Sequence, residues 1–239
     1  MRRVFLLRAY GDFAIAVQAL ASTDRIVASL HLKPLYDAMI SRGCISPQSI
    51  DFVDFGIRGS QFNLFTNKTF FSIDTFRQLS KIKQYVRANP GSTDFVEQSA
   101  RLGLLNFFTE HSFKAIFETG EPVYAAYGLP AQSLERKGDK VLILPDARLP
   151  KRVIPSSILS RIEGQVARFG SEYSNFEQLI DLIQASDYVV AADSLPIHLA
   201  YLCRKPHYIL YPDGGKLDFF TPDALATSSF STFSQFTHV

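Results

Sequence analysis

The stretch that decides the fold is Ala185–Leu210, ASDYVVAADSLPIHLAYLCRKPHYIL. Its first apolar run, Tyr188–Ala192, is too short for a helix and meets the polar pair Asp193-Ser194. Pro196 follows, then a short helical pattern, a break at Lys205-Pro206 and a second apolar run. That order reads as strand, turn, helix, strand. Asp193 or Ser194 suits the N-cap of the helix, and Pro196 suits its first turn. Backbone N–H groups exposed at such a helix start form a seat for phosphate at the carboxyl end of a strand. The same residues also fit an ordinary capped helix of an α/β domain.

Working outward, the same alternation recurs on both sides. Toward the amino terminus, Val4–Leu7 reads as a strand, Arg8–Asp12 as a turn, Phe13–Leu20 as a helix and Arg25–Leu30 as a strand. Pro34–Ser41 then reads as a helix, Ile50–Phe55 as a strand and Asp74–Ala88 as a helix stopped by Asn89-Pro90-Gly91. Residues 93–108 fit strand or helix equally. Lys137–Lys140 reads as a linker, after which Val141–Leu144 opens a second series. A helix at Ser157–Ile162, a strand at Val166–Phe169 and a helix at Phe176–Ala185 lead back to the opening stretch. Two βαβ series imply an α/β chain with two Rossmann-like domains, residues 1–137 and 138–239, whose parallel sheets face across a cleft. In the Ser/Thr/Phe-rich tail, Phe230, Phe233 and Phe236 recur every third residue, a pattern equally suited to docking and to fraying.

The 239 residues suffice for one large domain or two small ones, and 46% hydrophobic content with 20% charged residues describes a globular chain with ample core. A net charge of +2 is too mild to imply a nucleic-acid partner, though it permits contact with an anionic membrane surface. Cys44 and Cys203 have no CxxC spacing, so neither a zinc site nor a disulfide framework is expected, and a reducing cytoplasm is the simplest location. Arg8 and Asp12 interrupt the first apolar run, which argues against a secretion signal. No apolar stretch is long enough for a membrane-spanning helix.

Several chemistries lose their support. Neither GxGxxG nor GxxxxGK[ST] occurs, five histidines lack HxxxH or HExxH spacing, and no GxSxG elbow is present. His198 by itself reads as a packed helix residue. Three polar motifs remain: Arg8–Asp12, Pro145–Pro155 and Asp193–His198. Each lies just beyond the carboxyl end of an expected strand, the edge that faces the ligand crevice in open α/β sheets.

In those motifs the chain resembles the ADP-heptose:lipopolysaccharide heptosyltransferases, glycosyltransferase family 9, whose fold is the two-domain GT-B type. Gly11-Asp12 through Ala19-Leu20 resembles the family's GD-x6-AL pattern, with Gln18 where proline is common. Leu144-Pro145 through Lys151-Arg152-Val-Ile-Pro155 resembles its HPG-to-KRWP segment. Ala185 through Ala200 with Lys205-Pro206 is similar to its AD-xVV-xxDSGPxHLA-xxxxKP signature, with Leu195 in the glycine position. The segment between Pro155 and Phe176 is shorter than in the family.

The resemblance implies an inverting, metal-independent glycosyltransferase that moves a sugar, heptose by family default, from a nucleotide diphosphate donor. The acceptor would be a lipid-linked or lipopolysaccharide glycan, met in the cytoplasm with peripheral contact at the inner membrane. It implies Asp12 as catalytic base, with Arg8, Gly11 and Arg101 on the acceptor side. Lys151 and Arg152 would meet the donor diphosphate; Asp193, Ser194, Leu195, Pro196 and His198 would form the donor loop, with Glu172 as a ribose partner. Such chemistry needs a carboxylate near the acceptor hydroxyl and cations or N–H dipoles on the departing diphosphate, with no cofactor beyond the donor. The alternative is a noncatalytic sugar-nucleotide or partner-binding module on the same fold.

Overall fold

The computed structural model describes residues 3–7, 10–19, 25–57, 73–89, 138–214 and 228–237. They fall in two compact units, Met1–Pro34 with Pro47–Gly120, and Leu35–Ser46 with Glu121–Val239. The expectations for residues 58–72 and 90–137, the ambiguous 93–108 stretch among them, lie outside the described residues.

In the first unit β1 (Arg3–Leu6), β2 (Arg25–Ser29) and β3 (Ile50–Val53) form a parallel sheet with β2 in the middle. The helix after β1, α1 (Tyr10–Ala19), starts earlier than expected, so Gly11 and Asp12 lie in its first turn. The first turn of a helix leaves its backbone N–H groups without internal partners, so a polar stretch that reads as a turn can be helical. Phe13, Ala14 and Val17 of α1 are fully buried. Helix α3 (Ile73–Ala88) supplies Ile82 to a core of Phe5, Leu7, Val27, Phe55 and Ile57. Asp51 on β3 ties this layer together, accepting from Arg25 Nε at 2.8 Å and from Tyr85 Oη at 3.0 Å.

Most of α2 (Lys33–Ser41) and the turn after it belong to the second unit. Arg42, just beyond the helix, donates from Nε and Nη2 to the Asp181 carboxylate at 2.6 and 2.9 Å. Gln184 Nε2 donates to the Arg42 carbonyl at 2.9 Å.

The second unit is built on a five-stranded parallel sheet in the order β5-β4-β6-β7-β8, with β4 (Val141–Leu144), β5 (Gln165–Val166), β6 (Tyr188–Ala192), β7 (His207–Tyr211) and β8 (Ser229–Thr232). Every residue of β4, β6 and β7 is buried, as expected of parallel strands covered on both faces. Helices α4 (Ser156–Leu159), α5 (Phe176–Ala185) and α6 (Leu195–Leu202) connect them. Asn175 caps α5, accepting from Gln178 N at 2.9 Å, and the helix buries Leu179, Ile180 and Ile183. The start of β4 is fixed rather than loose: Asp187 accepts from the backbone N–H groups of Asp139 and Lys140 at 3.1 and 3.0 Å. Gly138 makes this approach possible, since its φ is +88° and a Cβ there would lie 2.4 Å from the Asp187 Cβ.

The tail docks. Its strand β8 pairs with β7, Phe230 and Phe236 are each 2% exposed, and Phe233 packs against the same core. Phe236 meets Tyr208 edge-on at 6.0 Å, and Arg161 lies over its ring at 5.1 Å. Strand β5 is shorter than the expected Val166–Phe169. Arg168 instead begins a tight loop in which its carbonyl accepts from Glu172 N at 3.1 Å, and Gly170 turns the chain at φ +89°.

Candidate functional site

Strand β4 has β5 on one side and β6 on the other, so consecutive connections leave it in opposite directions. Loops at the carboxyl ends of β4 and β6 therefore diverge, and such a switch point is where open α/β sheets hold ligands. The two polar motifs of this half occupy it.

After β4 the chain passes Pro145 and Asp146 and returns to the same place at Ile154, whose N–H donates to the Pro145 carbonyl at 3.0 Å. This closure makes residues 145–154 a compact loop. At its tip a 3-10 turn, Pro150–Arg152, is closed by Arg152 N donating to Leu149 O at 2.8 Å. Lys151 points into solvent and makes no hydrogen bond or ion pair among the described residues. Arg152 is engaged: its Nη1 lies 3.0 Å from Asp193 Oδ2 and also donates to the Asp193 carbonyl at 3.3 Å. The Asp193 side chain is 4% exposed against 30% for Arg152, so the guanidinium stabilises a carboxylate that water scarcely reaches.

Ser194 stands at the N-cap of α6 with extended backbone, yet its hydroxyl makes no capping bond. It donates instead to the Asp146 carbonyl at 3.1 Å, joining the β4 and β6 loops. Of the two residues expected to suit the N-cap, Ser194 holds the position, but its hydroxyl serves the Asp146 and Ala192 carbonyls instead of a helix N–H. Leu195 and Pro196 form the start of α6, with Leu195 partly exposed and Pro196 buried. A helix leaves its first N–H groups without internal partners, and Leu195 brings a side chain beside them.

His198 is buried, and burial lowers its pKa to about 3, with the charges of His207 and Arg152 acting in the same direction. The ring is neutral in the folded protein. It can exchange hydrogen bonds but carries no positive charge.

Glu172 serves its own loop. It accepts from Arg168 N at 2.7 Å and from Ser171 Oγ at 2.5 Å, and the hydroxyl and then the backbone N–H hold its carboxyl below the usual range. Through Arg168 it nonetheless joins the site, because the Arg168 guanidinium is ion-paired with the Asp146 carboxylate. Asp146 belongs to the Pro145–Pro155 motif but is not among the expected site residues, and Arg168 lies outside all three motifs. Their signal is position: Asp146 comes two residues after β4 and Arg168 two after β5, at the ligand-facing edge. The site in this unit thus holds Lys151 as an unengaged cation, two arginines each paired with a carboxylate, and a helix start. Among the described residues, no three His, Cys, Asp or Glu side chains gather into a metal-binding group.

In the first unit, Gly11 and Asp12 lie in the first turn of α1, beyond the carboxyl end of β1. Tyr10 beside them stacks edge-on with His31 at 5.6 Å, and His31 Nδ1 lies 3.0 Å from Ser29 Oγ. The Asp12 side chain, Arg8 and Arg101 lie outside the described residues. No helix among the described residues is long and apolar enough to cross a membrane.

No protein-family model matches the chain, and no curated protein sequence matches it. Solved structures do. E. coli heptosyltransferase WaaC with ADP-2-deoxy-2-fluoro heptose is 11% identical, with a TM-score of 0.50 over 96% of this chain and 92% of that one. A glycosyl transferase family 9 structure from Veillonella parvula is 10% identical at a TM-score of 0.48, over 97% and 86% of the two chains. E. coli ADP-heptose lps heptosyltransferase II is 14% identical at 0.43, over 97% and 90%. Identities this low speak for architecture alone, and the first of these likenesses carries it: two parallel α/β sheets in one chain, a GT-B-like fold.

Proposed function

We propose that the protein is an inverting glycosyltransferase that takes a sugar from a nucleotide diphosphate donor, heptose by analogy with its structural neighbours, without a metal ion. The observation that carries this reading is the joining of the β4 and β6 loops at their switch point, where Arg152 pairs with Asp193 and Ser194 donates to the Asp146 carbonyl, with Lys151 exposed in the same β4 loop. A WaaC structure of the same fold holds an ADP-sugar analogue, which supports a nucleotide sugar as the ligand class.

In this reading residues 138–239 hold the donor and residues 1–137 the acceptor, a lipopolysaccharide or other surface glycan met at the cytoplasmic face of the inner membrane. Asp12 accepts the proton of the acceptor hydroxyl as its oxygen attacks the anomeric carbon opposite the departing diphosphate, so one displacement inverts the centre. Lys151 and the N–H groups that open α6 stabilise the charge building on the diphosphate. Arg152 acts one step back, holding Asp193 and with it the start of α6. Arg168, partly exposed and paired with an equally accessible Asp146, is a cation that a donor phosphate can draw away.

A second reading, a noncatalytic sugar-nucleotide-binding module, draws on Leu195, whose side chain stands beside the N–H groups that phosphate must approach. One experiment separates the two. Donor binding and sugar transfer are measured together on the wild type, Lys151→Ala and Asp12→Asn. The transferase reading expects Asp12→Asn to bind donor normally and transfer nothing. Unchanged turnover in that variant removes Asp12 as the base, and binding without transfer in the wild type favours the module.

A further inference from the structure

Cys44 and Cys203 are 159 residues apart, yet their sulfurs lie 3.4 Å from each other as free, half-buried thiols. Both backbones are pinned by helix ends. After α2, Gly43 turns the chain at φ +67°, and Gly43 N and Cys44 N donate back to Ile40 O and Met39 O at 3.0 and 2.8 Å. After α6, Arg204 adopts φ 56°, and Cys203 N and Lys205 N donate to Leu199 O and Ala200 O at 2.8 and 2.9 Å. The paired Arg42–Asp181 hydrogen bonds and the Gln184–Arg42 contact hold the α2 end against α5 within the same compact unit.

We infer that Cys44 and Cys203 form a redox-active dithiol site that closes to an intramolecular disulfide under a mild two-electron oxidant such as a peroxide. A disulfide requires sulfurs about 2.05 Å apart, so closure asks for a movement of about 1.4 Å, within reach of side-chain rotation. The two sulfurs differ in role. The hydrogen bond between the two thiols holds Cys44 below the ordinary thiol range, while that same bond and burial push Cys203 above it. Attack by Cys44 is the order these directions favour, at a contact where either sulfur can give up its proton. The Cys44 thiolate takes one oxygen of the peroxide; the O–O bond breaks, hydroxide leaves and is protonated to water, and Cys44 becomes a sulfenic acid. The Cys203 sulfur then attacks the Cys44 sulfur, the S–O bond breaks as the S–S bond forms, and the hydroxyl departs with the Cys203 proton as a second water. Two thiols are oxidised and one peroxide is reduced to two waters. This site stands independently of any reading of the donor loop.

The test uses the full chain, reduced, freed of reductant and treated with one equivalent of hydrogen peroxide. The expected product is a monomer lighter by two hydrogens, with a single Cys44–Cys203 linked peptide pair in a non-reduced digest and both thiols recovered on adding dithiothreitol. In Cys203→Ser the same treatment leaves a sulfenic acid on Cys44 that a dimedone probe traps. Two cysteines that oxidise separately, a disulfide between two chains, or a product in which both thiols remain open to alkylation would overturn the inference.

Discussion

Replacing Arg152 with Met removes the guanidinium 3.0 Å from Asp193 and leaves a carboxylate with 4% of its side chain exposed. Removing one member of a buried ion pair costs about 3 to 5 kcal/mol, and the partial exposure of Arg152 puts this case at the lower end of that range. Asp193→Asn should cost less, about 1 to 2 kcal/mol, because the guanidinium it releases can turn to water. Combining the two removes the buried charge itself, so the double variant should be more stable than the summed losses by at least about 1.5 kcal/mol. Equilibrium urea unfolding of the four proteins yields the coupling energy, and thermal melts should show Arg152→Met lower by about 6 to 12 °C. Arg152→Met within about 0.5 kcal/mol of wild type, with additive singles, would refute the pairing. Should stability hold while affinity for nucleoside diphosphates collapses, Arg152 would be a phosphate ligand and not the residue that positions Asp193.

Phe236→Ala should cost about 3 to 5 kcal/mol, because the ring is 2% exposed between Tyr208 and Arg161 at the end of the sheet. A urea midpoint unchanged from wild type would mean that the tail does not contribute to the core. Acid should also weaken the fold before most carboxylates titrate. With a folded pKa of about 3 against about 6.5 in the unfolded chain, His198 binds a proton only on unfolding across that window, so stability falls as pH drops below about 6.5. The slope is about 1.4 kcal/mol per pH unit for each such histidine, and His207, lowered by its own burial, adds to it. Unfolding of His198→Gln between pH 6.5 and 4.5 should show a slope shallower by about one proton; an unaltered slope would disprove the buried neutral ring.

The parts of this molecule that are local in sequence were legible there. Strands β4 and β6 and helix α5 stand where hydrophobic runs and the polar breaks between them place them, because parallel strands buried on both faces read as continuous apolar segments. The polar motifs after β4 and β6 were also legible, because each follows directly on an apolar strand run, and the fold likeness agrees with the family resemblance they carry. What periodicity misses is partnership across distance. Nothing near Arg152 announces that it faces a carboxylate 41 residues later, and Cys44 meets Cys203 only because two helix ends converge. The tail was ambiguous for another reason: Phe230 belongs to a strand while Phe233 and Phe236 follow in a turn and beyond it, so a spacing of three spans more than one conformation. Ser231, buried within that strand, adds no apolar signal of its own.

The measurement closest to the central claim is calorimetric titration of the protein with a panel of nucleoside diphosphates and their sugars, without added metal, for wild type and Lys151→Ala. The β4/β6 site predicts one saturable site for a preferred base. Loss of the unengaged Lys151 cation should cost about 1.5 to 3 kcal/mol, a weakening of roughly ten- to hundredfold. Wild-type protein that binds none of these ligands, or a Lys151→Ala variant that binds them equally well, would contradict the account.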